Sequence, residues 1–338
     1  MINITYLIGN GFDLACGLKT RYTDVYDQYC ITDSPNENIE NFKKTILKDD
    51  YKNWTDFEMA LPVFGKELGD FEKFSECFLD FLTFLEDYLS EEQNKIDINR
   101  YKNILSEKMK SYFYHFYEYC LQNSKSELKR LVEDTNENII FHFITFNYTN
   151  TLEECLSTVS KQTQKHGALF YQYELPIHIH QKLYDGILLG LDNEELYKNI
   201  PCNDIRRLKN LIDKIFINNR YSDIIDVSVN KLKKSRIIVI FGWSMGESDS
   251  FWVKTIKQIF SENSLLHLVY VPYYPESTNK RFRSQSLDRE DEQKDFIIKK
   301  FGIPEKYHNR VHIVTNTEYM KLDFLANSSN EEKELVDI

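Results

Sequence analysis

The sequence predicts an α/β fold: a mostly parallel, Rossmann-like sheet that carries a large helical insertion. Three observations predict it. Short apolar runs suited to buried strands recur at residues 2–8, 138–146, 237–241, 265–271 and 311–314. Segments with helical periodicity separate them. Several of the runs end in polar or glycine-bearing turns, and a doubly wound fold gathers such turns along the carboxyl edge of its sheet, where ligands bind.

The first run, Ile2 to Ile8, empties into Gly9-Asn10-Gly11-Phe12-Asp13-Leu14. Two glycines let a backbone approach a phosphate, and amides at the next helix start face the anion. An ordinary tight turn is the alternative, because Leu14 stands where the dinucleotide fingerprint has its third glycine. A plain phosphate loop requires neither Asn10 nor Asp13, so both point to a ribose, a base or a reacting centre nearby.

Residues 12–30 read as a loop plus helix, and 34–40 as a polar break. Trp54, Phe57 and Leu61 share one helix face. An amphipathic helix follows through Phe71, Phe74, Phe78, Phe81, Leu85 and Leu89. A second runs through Tyr101, Ile104, Leu105, Met109, Tyr112, Phe116 and Cys120. The expected organisation is a nucleotide-binding domain from residues 1–35 and 136–326, a helical insertion at 36–135 and an acidic tail at 327–338. The aromatic insertion is the expected contact of a homo-oligomer.

The second strand ends in Asn147-Tyr148-Thr149-Asn150, with a helix expected from about Thr151. A carboxamide both donates and accepts, so Asn147 suits a ribose hydroxyl or an attacking water. A turn asparagine followed by a helix cap is the alternative. In His178-Ile179-His180, strand alternation puts both imidazoles on one face. They are an acid/base pair, two metal ligands, or one structural and one exposed histidine. No third ligand stands at metal spacing, and no metal is expected.

Gly190-Leu191-Asp192-Asn193 is another polar turn, and residues 204–233 read as helical. Strand 237–241 runs into Gly242-Trp243-Ser244-Met245-Gly246. Its spacing is not the G-x-S-x-G of a nucleophile elbow, so a loop admitting a base or sugar is expected instead of a serine hydrolase. A helix to about residue 260, strand 265–271, helix 287–300, strand 311–314 and helix 317–326 complete the chain.

Composition narrows the function. The 338 residues carry a net charge of −11, which argues against a broad nucleic-acid surface built on lysine and arginine. Lys231, Lys233, Lys234 and Arg236 form one short basic cluster, and Lys280, Arg281 and Arg283 another. No apolar run approaches the roughly 18 residues that span a bilayer, so no membrane contact is expected and the cytoplasm is the expected location. Six cysteines occur without a C-x-x-C pair and are expected as buried free thiols.

Taken together, these motifs resemble a known family. Leu7 to Leu14 with Gly17, Leu18 and Tyr22 resembles the opening of AbiH-type bacteriophage abortive-infection proteins. Trp54-Thr55-Asp56-Phe57-Glu58 resembles their W-x-D-F-E segment. Phe143 to Thr149, Ile177 to His180 and Ile240 to Asp249 follow in the family's order. That pattern is in turn remotely similar to the SIR2-like NAD-binding fold.

The resemblance implies a phage-defence protein with NAD as substrate or ligand and a phage-derived trigger as a further partner. By it, Gly9, Asn10 and Gly11 correspond to the phosphate loop and Asn147 to the asparagine of T-x-N. His180 corresponds to the catalytic histidine, and Gly242 and Ser244 to a late nucleotide-contacting loop. Asp192 joins the nucleotide contacts, and Asp13 is expected to stabilise positive charge on the sugar. The expected activity is hydrolysis of the nicotinamide–ribose bond. The alternatives are a nucleotide sensor without turnover, or a nuclease with a metal on His178, His180 and Asp192.

The chain departs from the pattern in places. Gln181 replaces the glycine of H-x-H-G, which makes His166-Gly167 a rival pair. Trp243 stands where related sequences often carry histidine. The cysteine pairs of a sirtuin zinc module are absent, so protein deacetylation is not expected.

Overall fold

The computed structural model describes residues 1–48, 57–165, 167–272 and 283–325. Trp54, Thr55, Asp56, His166, Lys280, Arg281 and the tail 327–338 lie outside the described residues. The chain begins with β1 (Ile2–Ile8), α1 (Gly11–Ala15), α2 (Tyr22–Ile31), α3 (Glu37–Lys48), α4 (Leu61–Leu68), α5 (Phe71–Gln93), α6 (Lys102–Tyr114) and α7 (Gln122–Val132). It continues with β2 (Ile139–Thr145), α8 (Thr151–Ser157), β3 (Gln162–Gln164), β4 (Phe170–Tyr173), β5 (Ile177–His178), α9 (Glu194–Tyr197), α10 (Ile205–Ile212), α11 (Lys214–Tyr221) and α12 (Ile224–Lys234). Then follow β6 (Ile237–Phe241), α13 (Ser250–Glu262), β7 (His267–Val271), α14 (Arg283–Phe301) and β8 (Val311–Ile313).

Among the described residues, eight strands form one sheet in the order β3-β4-β2-β1-β6-β7-β8, with β5 also paired to β2. Every pairing is parallel except β3 with β4. The chain steps from β1 to β2 on one side and later to β6 on the other. Counting the parallel strands alone, with β4 and β5 as the third, the order is 3-2-1-4-5-6. This is the doubly wound order whose ligand crevice opens where the winding reverses, here between β1 and β6.

Alternation along the strands sorts side chains to two faces. Ile4, Tyr6 and Ile8 pack with Phe141, Phe143, Val239 and Val269 beneath α6, α7 and α8. Leu7, Ile144, Ile238, Ile240 and Leu268 pack against α12, α13 and α14 on the other face. The inward polar residue of β1, Thr5, is satisfied by the Ser235 hydroxyl at 2.6 Å. A third core joins Tyr26, Tyr29, Phe42, Phe64, Phe74, Phe78 and Phe81 to Tyr197, Leu208 and Ile212. The stretch 36–135 therefore divides: α3, α4 and α5 build the helical body with α2, α9 and α10, whereas α6 and α7 cover the sheet.

Several elements differ from the sequence expectation, each for a local reason. The helix expected at 204–233 is three helices. Asp213 is extended, ends α10 and caps α11 by accepting from Phe216 N at 2.9 Å. Extended Ser222 then separates α11 from α12. The helix read through Cys120 ends at Tyr114, and Cys120 bridges to Val314. The polar break is shorter than 34–40, because Asn36 accepts from Asn38 N and α3 starts at Glu37. Residues 317–325 form turns and a 3-10 segment at Asp323–Leu325 rather than a helix, since Met320 takes a φ of +58°; residue 326 lies outside the described residues.

All six cysteines are free thiols, with Cys16, Cys77, Cys120 and Cys155 buried. Among the described residues no helix is long and apolar enough to cross a membrane.

Candidate functional site

Because β1, β2, β5 and β6 run parallel, the loops that follow them share one edge. The backbone ladder continues past the strand ends: Phe146 N donates to Ile8 O, Gly9 N to Phe241 O and Ile179 N to Thr145 O. This brings the Gly9–Asp13 turn, the Phe146–Thr151 turn, the 179–181 turn and the Gly242–Asp249 loop side by side.

The glycines of the first turn serve this junction. Gly11 N donates to Gly242 O at 2.9 Å, and a Cβ on Gly11 would lie 2.4 Å from Gly242 Cα. Gly242 itself has a φ of +66°. The amides of Gly9 and Gly11 are thus engaged by the β6 end, and α1 beyond them is a five-residue helix. Asn10 is also engaged: its Nδ2 donates to Thr20 O at 2.7 Å, and its Oδ1 accepts from the Thr20 hydroxyl at 2.6 Å. Gly11→Ala is expected to cost about 1–3 kcal/mol through overpacking, measured as a lower midpoint in urea.

Asp13 is buried below this turn. Its Oδ2 accepts from the Thr149 hydroxyl at 2.7 Å, and among the described residues none closes an aligned hydrogen bond to its Oδ1. Burial pushes its carboxyl up to about 6, against the opposing pull of Thr149, Asn147, His178 and Thr151. Asn147 is fixed through its backbone, since its N–H donates to Thr145 Oγ1 at 3.1 Å and its carbonyl meets His178 Nδ1 at 2.8 Å. Among the described residues, neither polar atom of its buried side chain closes an aligned hydrogen bond, nor do Asn150 Oδ1, Thr151 Oγ1 and Glu153 Oε2.

The Asp13 shift has a consequence for stability. Between about pH 4 and 6 the folded chain holds a proton at Asp13 that the unfolded chain has released, so stability falls as pH rises through that window. Asp13→Asn keeps an acceptor for Thr149 and removes the ionisation. It is expected to gain about 1–3 kcal/mol at pH 7 and to flatten the slope. Urea titrations at pH 4.5 and pH 7 measure both. Asp192, also pushed up to about 6 by burial, leaves a residual slope of the same sign.

The two histidines have different surroundings. His178 Nδ1 meets the Asn147 carbonyl and Nε2 meets Glu153, so both nitrogens face acceptors and neither offers a free lone pair. His180 lies on the 179–181 turn, with Phe146 edge-on at 5.5 Å and Tyr148 at 6.1 Å, the two residues flanking Asn147. Its Nε2 sits 3.3 Å from Asp249 Oδ1 without closing an aligned hydrogen bond. Gln181 takes a φ of +59° and donates to Asn218 Oδ1 at 2.9 Å.

Beside His180 is a buried ion network that the sequence reading missed. Lys214 Nζ donates to Asp249 Oδ1 at 2.8 Å and to Glu58 at 3.1 and 3.3 Å. Trp243 Nε1 donates to Asp249 Oδ2 at 3.0 Å, and Gly190 N to Glu58 Oε1 at 2.9 Å. Burial alone would lower the Lys214 pKa, but Asp249 and Glu58 more than reverse it. Burial alone would raise Asp249, but Lys214 and His180 hold it well below the usual carboxylate range. Lys214 and Asn218 stand four apart on α11 and so share a face. The first anchors the network, and the second grips the 179–181 turn by donating to Ile179 O at 2.8 Å. Gly190 lets its loop press on α10, where a Cβ would lie 2.1 Å from Ile212 O.

Asp192 accepts from the Ser250 hydroxyl at 2.9 Å and from Phe251 N. It thereby caps α13 from a distance, because the carboxylate of the N-cap residue Asp249 is taken by Lys214 and Trp243. Ser244 is exposed, and Trp243 stacks on Phe146 at 4.4 Å. His178, His180 and Asp192 thus have separate partners. Among the described residues, a group with metal-ligand spacing is Glu127, His267 and His312. It involves the first residue of β7, at the amino end of the sheet, and its imidazoles bond each other at 3.0 Å. Burial pushes His267 down to about 4, with Arg236, Arg310 and Arg130 adding to the effect.

The family model described as bacteriophage abortive infection AbiH matches residues 5–270. That span includes Asp13, Glu58, Asn147, His180, Lys214 and Asp249. No curated protein matches the chain.

Proposed function

The chain belongs to the AbiH bacteriophage abortive-infection family, and from that premise we propose that it arrests infected cells by hydrolysing the nicotinamide–ribose bond of NAD. The observation that carries this reading is the set of unpartnered buried atoms at the carboxyl edge of the sheet. Asp13 Oδ1, Asn147 Oδ1, Asn150 Oδ1 and Glu153 Oε2 are acceptors, and Asn147 Nδ2 and the Thr151 hydroxyl are donors. Buried polar groups are normally bonded, so a cluster of exceptions calls for a ligand or water. An excess of acceptors suits the hydroxyls of a ribose better than a phosphate, which needs donors. The engaged amides of Gly9 and Gly11 fit the same preference.

Breaking the nicotinamide–ribose bond leaves positive charge on the sugar. Asp13, largely ionised above pH 6, supplies a buried negative charge for it. Asn147 orients the ribose or the incoming water. His180 takes the proton released when the water oxygen bonds to the sugar carbon. Nicotinamide leaves, and ADP-ribose is the second product. The motif correspondence with SIR2-like proteins supports the same roles for Asn147 and His180.

The test is chromatographic measurement of nicotinamide after mixing purified protein with NAD, alone and with extract of phage-infected cells. Release under either condition, lost in Asn147→Ala, is the expected result. NAD binding without release under both conditions would instead make the protein a sensor. Neither binding nor release would remove NAD from the account.

A further inference from the structure

We infer that Asp249 is a positioning residue that sets the tautomer of His180, with the proton on Nε2 and the lone pair on Nδ1. The inference rests on His180 being the working base of the proposed hydrolysis. Asp249 is held at both oxygens: Oδ2 accepts from Trp243 Nε1 at 3.0 Å and Oδ1 from Lys214 Nζ at 2.8 Å. A carboxylate fixed in this way cannot turn to suit its neighbour. Oδ1 also lies 3.3 Å from His180 Nε2, short of an aligned hydrogen bond. In a neutral imidazole one nitrogen donates and the other accepts, and only a protonated Nε2 is attracted to that oxygen.

Glu58 gives the arrangement its polarity. A lone Lys214–Asp249 pair would leave the carboxylate largely neutralised. Glu58 shares the ammonium, at 3.1 and 3.3 Å, so Asp249 retains negative charge to direct at the imidazole. The ring is also confined by Phe146 and Tyr148. These residues follow β2 and flank Asn147, so the same backbone turn places the asparagine and walls the histidine. Among the described residues none hydrogen-bonds His180 Nδ1, which leaves that nitrogen for a water or substrate.

A brace that only held the loops together would be indifferent to which nitrogen carries the proton, and this separates the two roles. The experiment is a two-bond nitrogen–proton correlation spectrum of the full chain labelled with 15N-histidine, with the His180 signals assigned by their loss in His180→Gln. The wild type is expected to show the Nε2–H tautomer. In Asp249→Asn the ring is expected to shift toward Nδ1–H, and nicotinamide release to fall roughly 10²- to 10⁴-fold, as when the carboxylate partner of a general-base histidine is neutralised. If that variant does not fold, Trp243→Phe keeps the charges and the ring stack while freeing Oδ2, and a mixture of tautomers is expected. An Nδ1–H ring in the wild type, or an unchanged ring in the folded variants, overturns the inference. The spectrum needs no turnover, so absence of nicotinamide release in the wild type would count against NAD hydrolysis and leave the tautomer result standing.

Discussion

Lys214→Met is expected to lower the unfolding free energy by about 3–5 kcal/mol. Lys214 is 2% exposed, and the residues whose carboxylates it joins are 4% exposed at Glu58 and 6% at Asp249. Its removal leaves two negative groups near each other out of water, and among the described residues no other lysine or arginine pairs with either. The lost Coulomb attraction is the smaller part of the effect; the uncompensated buried charges are the larger part. Urea denaturation at pH 7 measures it. Lys198→Met provides the contrast, because the Lys198–Glu195 pair is 52% and 72% exposed in its side chains, and such pairs contribute about 0–1 kcal/mol. Equal small losses in the two variants would mean that the Lys214 network is wetter than its burial indicates.

Asn147→Ala is expected to have the opposite profile: stability unchanged or slightly higher, with nicotinamide release reduced about 10²- to 10³-fold. Among the described residues neither side-chain polar atom of Asn147 closes an aligned hydrogen bond, although the amide lies near enough to Asp13 to lower its pKa, and the residue is 5% exposed. Truncation therefore breaks no aligned hydrogen bond and relieves a poorly satisfied amide. Its backbone bonds to Thr145 and His178 do not depend on the side chain. In the proposed hydrolysis, truncation would remove a group that orients the ribose or the attacking water, for which single-donor losses of this size are typical. Release and denaturation measured on the same preparation decide the case. Activity within threefold of wild type, or a stability loss above about 2 kcal/mol, would make Asn147 an architectural residue.

The two variants concern two kinds of buried polar group, which differ in how readable they are from sequence. Asn147 sits at the end of an apolar run and is the first polar residue after it, so its place at the sheet edge follows from strand patterning. Asp13 lies further along its turn, beyond Asn10, and only the family resemblance separates His180 from His178. Glu58 and Asp249 lie inside recognisable motifs but carried no assigned role, because nothing local to either indicates a partner. Lys214 has no motif around it. Its one local sign is the spacing to Asn218, two polar residues at an inward-facing i, i+4 position of a helix, and that sign is visible only once the break at Asp213 is known. Asn10 illustrates the reverse: its sequence context suggests a ligand, and its side chain is taken up by Thr20, ten residues away.

By itself the sequence determined the α/β class, the strands β1, β2, β6, β7 and β8, and the edge at which their turns collect. These follow from the order of apolar and polar side chains, because burial on a pleated strand or a helix face has a short period. Tertiary structure alone decided which polar atoms meet. Glu58 and Lys214 are 156 residues apart, and Lys214 and Asp249 are 35 apart. No period links them. Their pairing is set when the helical body closes on the sheet and three charges leave water together, since in a buried site none of them is stable without the others.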